Sequence, residues 1–206
     1  MGKKKFELTK EKKEFYGRTL FCIKALVDGH FFKKGELGGF VEKEENLSHE
    51  GDAWVYGDAL VYGNALVSGD ALVYGNALVS GDALVSGDAR VYGNALVYGN
   101  AWVYGNARVY GNAWVYGNAL VYGNALVSGD ALVYGNALVY GNAWVYGNAR
   151  VYGNALVYGN AWVSGNAKIK GVLCSRFSFE FDWQVELWKK KEKEFEEKCR
   201  TKQGGG

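Results

Sequence analysis

Residues 91–120 read VYGNALVYGN AWVYGNARVY GNAWVYGNAL, a six-residue word repeated five times with one letter changing. The word runs from Gly51 to Lys170 as twenty hexapeptides without insertion or deletion, and it is best written Gly-Asn/Asp-Ala-X-Val-Z. Its Ala position always holds alanine, and its Val position holds valine nineteen times and Ile169 once. Self-similarity at a short fixed period is typical of solenoids, so the repeat predicts a solenoid built from parallel strands.

The two variable positions indicate which way the strands face. Position X holds eleven Leu, five Trp, three Arg and one Lys, and position Z holds fourteen Tyr, five Ser and one Lys. Successive side chains of a strand point to opposite faces, so X and Z share one face while Ala and Val share the other. Burying unpaired cations is costly, and we therefore predict that X and Z point outward. Alanine and valine then fill a thin interior that has no room for a cavity.

The Gly-Asn or Gly-Asp pair is predicted to form each corner. Glycine adopts positive φ freely, and Asn and Asp do so more readily than other residues. Each strand between corners is then expected to be about four residues long. Aspartate in the corner position also allows a calcium ladder to be considered, but Asn fills the same position fourteen times, which favours a turn-forming role.

The word V-Y-G-N-A-L resembles the hexapeptide repeat of left-handed parallel β-helices, the fold of the bacterial hexapeptide acyltransferase superfamily. In that superfamily three hexapeptides form one triangular coil. The resemblance implies an all-β, left-handed parallel β-helix, a triangular solenoid of about six to seven coils. The left-handed turn is implied by the resemblance alone, because the general rule for crossovers favours the opposite hand.

A second resemblance lies upstream of the repeat. Residues 17–59, GRTLFCIKALVDGHFFKKGELGGFVEKEENLSHEGDAWVYGDA, resemble the leader of hexapeptide-repeat proteins encoded by phages and prophages of Firmicutes. This resemblance implies a phage or prophage origin and a bacterial host cell. It implies no reaction.

We divide the chain into an N-terminal capping segment (1–50), the hexapeptide-repeat β-helix (51–170) and a C-terminal strand and helix cap with a flexible glycine tail (171–206). Exposed sheet edges invite continued stacking, so both ends of a solenoid need covering. At the N-terminal end, residues 5–8 and 14–26 are predicted to be strands around a Tyr16-Gly17 turn.

The remaining capping predictions concern both ends. Residues 35–47 are predicted to form an irregular first coil, with Val41 and Leu47 spaced as in a degenerate word. Strict alternation in FSFEFDWQVEL predicts a half-buried strand from Phe177 to Leu187. The sequence WKKKEKEFEEKCRTK that follows from Trp188 predicts a charged helix.

Motifs for catalysis or metal binding are not found. The sequence has two histidines, His30 and His49, both before the repeat, whereas the resemblance to acyltransferases implies a histidine base near a loop leaving the coil, and γ-type carbonic anhydrases use three zinc-binding histidines. P-loop, GxSxG and HExxH motifs are missing. We therefore predict no catalytic residue, no metal site, no cofactor and no enzymatic activity.

Charge, hydropathy and cysteine usage argue against nucleic-acid binding, secretion and membrane insertion. The net charge is +2, and the repeat has neither the basic surface of a nucleic-acid reader nor the acidic surface of a DNA mimic. The N-terminal sequence lacks the apolar stretch of a signal peptide, and no apolar run is long enough to span a membrane. With Cys22, Cys174 and Cys199 interpreted as reduced thiols, we predict a cytoplasmic protein with no nucleic-acid or membrane partner.

One outer face is predicted to bind protein. If every third word shares a face, one face carries no charge in either outward position, and a continuous apolar patch normally marks an interface. The predicted binding residues on that face are Trp102, Tyr104, Leu120, Tyr122, Leu138, Tyr140, Leu156 and Tyr158. The expected partner is a second copy, in a dimer or trimer, or a host protein. Alternatives are that the rings only stabilise the strands, that the protein is a carbohydrate-binding module, or, less favoured, that it is an acyltransferase-like enzyme.

Overall fold

The twenty hexapeptides form a parallel β-solenoid of about seven turns, as the period predicted. The computed structural model describes residues 4–174, 178–179, 183–188 and 190–191. Each turn contributes one strand to each of three sheets that run the length of the solenoid. The left-handed turn implied by the resemblance stays a prediction.

The strands are numbered in chain order. They are β1 (Phe6–Phe15), β2 (Arg18–Ala25), β3 (Leu37–Val41), β4 (Trp54–Val55), β5 (Leu60–Val61), β6 (Leu66–Val67), β7 (Leu72–Val73), β8 (Leu78–Val79), β9 (Leu84–Val85), β10 (Arg90–Val91), β11 (Leu96–Gly99), β12 (Trp102–Val103), β13 (Arg108–Val109), β14 (Trp114–Gly117), β15 (Leu120–Val121), β16 (Leu126–Val127), β17 (Leu132–Val133), β18 (Leu138–Val139), β19 (Trp144–Val145), β20 (Arg150–Val151), β21 (Leu156–Tyr158), β22 (Trp162–Val163), β23 (Lys168–Ile169), β24 (Val172–Cys174) and β25 (Ser178–Phe179). Most repeat strands contain two residues, fewer than the predicted four, although backbone N–H groups at the corners also donate to the next turn.

The register confirms three words per turn. Trp102 pairs with Leu120 and Leu120 with Leu138, so equivalent positions stack eighteen residues apart. The Trp54 face is formed by β4, β7, β10, β13, β16, β19, β22 and β25, and the Leu66 face by β6, β9, β12, β15, β18, β21 and β24. The Leu60 face contains β5, β8, β11, β14, β17, β20 and β23, and extends through β3 to β2 and β1.

The interior of the solenoid is a stack of methyl and isopropyl groups. Every Ala and Val of the words, together with Ile169, is at most 1% exposed. The inward orientation predicted for these two positions is therefore confirmed. Burial of this apolar surface is the main favourable contribution to folding.

Glycine alone provides the positive φ at the corners. All twenty corner glycines have φ between 58° and 74°. Among the described residues Tyr16 is the only non-glycine residue with positive φ, so the prediction that Asn and Asp share this role is wrong. A side chain would also be crowded at the corner, because a Cβ on Gly105 would lie 3.1 Å from the Gly123 nitrogen of the next turn.

The Asn side chains instead link successive corners. Asn100 donates from Nδ2 to Oδ1 of Asn118 at 3.1 Å, and Asn118 donates to Asn136 at 3.0 Å. Aspartate joins the same ladders as an acceptor, since Asn112 donates to Oδ1 of Asp130 at 2.9 Å. These bonds give Asn and Asp a structural role at the corner position.

The N-terminal strands extend one sheet below the first turn. β1 and β2 form an antiparallel hairpin, β2 pairs with β3, and β3 pairs in parallel with β5. The turn at Tyr16-Gly17 is as predicted, but β1 is longer than the predicted residues 5–8. Val41 pairs with Val61 and Leu47 bridges to Val67, which confirms the irregular first coil and its two aliphatic positions.

The first word has no solenoid turn below it, and the Lys5 side chain supplies hydrogen bonds that such a turn would donate. Its Nζ donates to the carbonyl oxygens of Gly51 at 3.2 Å and Ala53 at 2.9 Å, which in later turns accept from backbone N–H groups. The side chain is buried, and this burial lowers the pKa of Lys5 to about 8, although the nearby Asp52 and Asp70 act in the opposite direction.

Asn46 likewise donates hydrogen bonds to free carbonyl oxygens at the next corner. Its Nδ2 donates to the carbonyl oxygens of Gly63 at 3.1 Å and Ala65 at 2.8 Å. Asn46 is fully buried at the end of the short 3-10 helix Glu44–Asn46. Buried carbonyls without donors are costly, so these two side chains stabilise the lower edge of the solenoid.

The C-terminal segment differs from its prediction. Ser178–Phe179 pairs with β22, but residues 183–188 and 190–191 are helical, so a strand continuing to Leu187 is wrong. Val185 is 2% exposed and Trp188 packs against the same core, a spacing that fits one helix face. Residues 180–182 and the predicted helix beyond residue 191, including Cys199, lie outside the described residues. No helix in the described ranges has the length and apolar composition needed to cross a bilayer.

Because the Val position faces the interior and position X faces outward, substitutions at these neighbouring positions should differ in their effect on the free energy of unfolding. Val121→Thr places a hydroxyl in the dry interior and should lower the free energy of unfolding by about 1–3 kcal/mol. Leu120→Thr, one residue earlier but on the outside, should cost less than about 1 kcal/mol. Urea unfolding followed by circular dichroism measures both. Equal losses would contradict the inward orientation of valine.

The lowered pKa of Lys5 predicts that its contribution to the free energy of unfolding depends on pH. The pKa of Lys5 is about 8 when folded and 10.5 as the ordinary value, so between these pH values the unfolded chain holds more protons and stability rises with pH. Lys5→Met removes this rise and the two hydrogen bonds. We therefore expect Lys5→Met to be more destabilising at about pH 10 than at about pH 7 in urea titrations. Lys4→Met, which alters an exposed ion pair with Glu44, should show no such trend.

Candidate binding face

The eight residues predicted to bind protein lie together on the Leu66 face. The X column of this face is Leu66, Leu84, Trp102, Leu120, Leu138 and Leu156, and the Z column is Ser68, Ser86, Tyr104, Tyr122, Tyr140 and Tyr158. Neither column contains a charged side chain. The repeat therefore positions an apolar column beside an aromatic one on a single sheet.

The tyrosines of this face form a parallel stack. Ring centroids are 4.8 Å apart from Tyr104 to Tyr122, 4.8 Å from Tyr122 to Tyr140 and 5.2 Å from Tyr140 to Tyr158, with interplanar angles of 2°, 2° and 7°. Stacked aromatic pairs contribute about 0.5–1.5 kcal/mol each beyond their buried area. The stack holds the rings in one orientation.

Trp102 is the most exposed of the eight residues predicted to bind protein. It is 47% exposed, whereas Leu120, Leu138 and Leu156 are half-buried between their neighbours above and below. A large indole standing above a flatter aliphatic surface is the usual form of an interface anchor.

Charges interrupt the other two faces, as predicted. On the Trp54 face Arg90 is paired in register with Arg108, and on the Leu60 face Arg150 is paired with Lys168. Each of these faces also carries exposed tryptophan: Trp114 on the Leu60 face, Trp144 and Trp162 on the Trp54 face. The Leu66 face is the one whose apolar columns continue without a charge through the repeat.

Comparison with protein families agrees with this architecture. The model of the YdcK beta-solenoid repeat matches nine segments that together cover residues 53–87, 89–147 and 149–165, more than half of the chain. The chain belongs to the YdcK beta-solenoid repeat family. A search of curated proteins gave no significant match. Membership of the acyltransferase superfamily and a phage origin stay predictions.

The apolar surface extends past the YdcK repeats. Val172 of β24 pairs with Leu156 and is 53% exposed, so it continues the X column of the Leu66 face by one residue. Sequence reasoning missed Val172 because the spacing from Leu156 is sixteen residues instead of eighteen. The glycine at 171, which continues the corner pattern, was the available signal.

The first tryptophan of the repeat does not contribute to a surface. Trp54 occupies an outward position, yet it is fully buried because Phe32 stacks on it at 4.2 Å and Phe6 meets it edge-on at 6.3 Å. The outward orientation predicted for position X holds, but here the neighbour is the N-terminal segment of the same chain.

His49 and Cys22 have structural contacts. His49 accepts a hydrogen bond at Nδ1 from the Lys5 N–H at 3.1 Å, and its Nε2 lies 2.6 Å from Oε1 of Glu44. Hydrogen bonds from Lys4 and His49 hold the pKa of Glu44 below its usual value. Cys22 is a buried free thiol whose pKa is raised by burial.

Burial raises the pKa of Tyr122, and the stacked Tyr104 and Tyr140 raise it further. The pKa of Tyr92 and that of Tyr116, on the other two faces, are raised by burial in the same way. A phenolate within a stack has lost part of its water and has another ring on each side. Tyr92, Tyr116 and Tyr122 therefore resist ionisation.

These shifts predict alkaline destabilisation. Because the folded pKa values lie above the ordinary value of 10.0, the unfolded chain loses its phenol protons first, so the stabilisation is complete below about pH 10 and is lost as pH rises through the folded pKa. Tyr104→Ser together with Tyr140→Ser should lower the pKa of Tyr122, measured by the NMR shift of its Cζ carbon. Tyr116→Ser on the Leu60 face should leave it unchanged. No change in the double variant would contradict the coupling within the stack.

Proposed function

We propose that this protein is a non-enzymatic scaffold that binds protein through the Leu66 face. The first expected partner is a second copy of the chain, in a side-by-side dimer or trimer. The observation that carries the proposal is the uninterrupted apolar and aromatic surface of that face, with Trp102 standing 47% exposed at its middle.

Physical arguments favour an interface over simple strand stabilisation. Soluble monomers rarely expose long continuous apolar patches, and Tyr and Trp dominate the energetics of interfaces. The stacked rings are already ordered, so a partner does not have to restrict their motion on binding. A flat face can pair with its own copy through a closed symmetric arrangement.

A non-enzymatic role is supported by the placement of the reactive side chains. Both histidines lie in the N-terminal segment, where His49 contacts Glu44 and Lys5, and the repeat positions carry Leu, Tyr, Trp and Ser. Between residues 66 and 158, the two columns of the Leu66 face contain no Asp, Glu, His, Cys, Lys or Arg side chain.

The resemblance of residues 17–59 to phage leaders supports a finer version of the proposal. In that setting the scaffold acts in the bacterial cytoplasm as a structural or assembly component, or as an inhibitor that occupies a host protein. Such a host protein would compete with a second copy for the same Leu66 face. The balanced charge of the repeat makes nucleic acid and membranes weaker candidates.

Charge placed on the Leu66 face tests self-association. Trp102→Lys plus Tyr122→Lys introduces two cations on adjacent strands, which should weaken association by about tenfold or more and bring the mass in light scattering to that of the 22.6 kDa chain. The β-rich circular dichroism should be unchanged because both positions face outward.

The matched control uses the same spacing on another face. Trp114→Lys plus Tyr134→Lys places two lysines on adjacent strands of the Leu60 face and should leave the mass unchanged. If the Leu66 variant keeps the wild-type mass, or if both variants dissociate equally, self-association through the Leu66 face is wrong.

A further inference from the structure

The tyrosine column of the Trp54 face is interrupted between Tyr110 and Tyr146. Tyr74, Tyr92 and Tyr110 stack with centroid steps of 4.7 Å and 4.9 Å, the next position is Ser128, and Tyr146 follows. The gap is an open recess of about 300 Å³, which we call the Ser128 slot. It is lined by Tyr110, Leu126, Ser128, Trp144 and Tyr146.

The Ser128 slot has the dimensions of one aromatic ring. Tyr110 and Tyr146 lie two turns apart, so the space between their rings is roughly twice the step of the intact stack. A planar ring inserted there has a normal stacking distance, about 4.5–7 Å between centroids, to both tyrosines. Such a ligand completes the column that the sequence interrupts, with Leu126 and Trp144 alongside it.

Polar groups near the slot indicate the charge of the ligand. Within the described part of the chain, the Ser128 hydroxyl has no hydrogen-bond partner, and neither Arg90 nor Arg108 makes a salt bridge. Arg108 belongs to the strand below the slot and precedes Tyr110 by two residues, so both side chains face outward. Arg108 pairs in register with Leu126, which lines the slot, so a cation on the neighbouring strand favours an anionic group on the inserted ring.

Serine also replaces tyrosine in the column of the Leu60 face, but without leaving an accessible recess. Ser80 lies between Tyr62 and Tyr98 on the Leu60 face, but it is only 7% exposed. Replacement of tyrosine by serine therefore does not by itself create an accessible recess. The recess at Ser128 also depends on the side chains that line it.

We propose that the Ser128 slot binds a small planar aromatic anion, whose ring stacks between Tyr110 and Tyr146 and whose negative group pairs with Arg108. This site lies on the Trp54 face, so it is separate from self-association through the Leu66 face and is tested separately.

The probe is 2-naphthoate, titrated against the full chain by calorimetry and ligand-observed NMR. We expect one site per chain with a Kd of about 1 mM or tighter, the range for a ligand of this size. Cyclohexanecarboxylate, which has the charge without the planar ring, should not bind. The neutral amide of the same ring should bind about tenfold more weakly.

Three variants locate the site. Ser128→Tyr fills the slot with the residue most common at this position, so the fold is kept and binding of 2-naphthoate should be lost. Ser86→Tyr adds a tyrosine on the Leu66 face and should bind like wild type. Arg108→Leu uses the commonest residue of position X and should weaken binding about tenfold.

Two results would overturn the proposal. One is failure of wild-type protein to bind 2-naphthoate at millimolar concentration. The other is undiminished binding by Ser128→Tyr, whose folding is checked by circular dichroism and thermal melting. Equal affinity for the acid and its amide, or no effect of Arg108→Leu, would overturn the assignment of an anionic ligand.

Discussion

The narrow interior is the constraint on which the rest of the molecule depends. Three short strands meeting around one axis leave space for a methyl and an isopropyl group per word, and the positions that fill it never vary beyond Ile169. Larger side chains are forced outward, and the chain must turn sharply after each strand. Glycine is required at that corner because its φ is positive and the next turn approaches its Cα closely.

Because the inward Ala and Val positions are constant, the outward positions X and Z can vary without altering the core. Leucine, tryptophan and arginine alternate at position X, and tyrosine and serine alternate at position Z, without any change in the buried columns. Each face therefore has its own chemistry on the same backbone: continuous and apolar on the Leu66 face, interrupted by paired arginines on the Trp54 face. Parallel stacking at steps near 4.8 Å keeps these surfaces rigid.

The inward orientation of Ala and Val followed from strand alternation and the cost of burying cations, and the structure confirms it. Three words per turn, and with it the membership of each face, was implied by the resemblance to hexapeptide β-helices, and the register confirms it. Features that depend on distant contacts were not predictable in this way. Trp54 is covered because Phe6 and Phe32 fold back over it, and no local pattern indicates that contact.

The C-terminal segment shows a second reason why structure could not be predicted from the sequence pattern. Alternation from Phe177 to Leu187 fits a half-buried strand, but residues 183–188 are helical, with Val185 buried. In so short a stretch, large apolar residues satisfy both periods, and packing against the last turn decides between them. Val172 was missed for a related reason, because the spacing of the column changes where the repeat ends.

The eighteen-residue stacking interval has a genetic consequence. Deleting or duplicating eighteen residues within the repeat brings chemically equivalent strands and corners into contact, so the buried columns close again without redesign. Near-identical words also make recombination between them easy. The height of the solenoid can thus change in evolution by one whole coil at a time, while Lys5 and Asn46 still fix where the first coil begins.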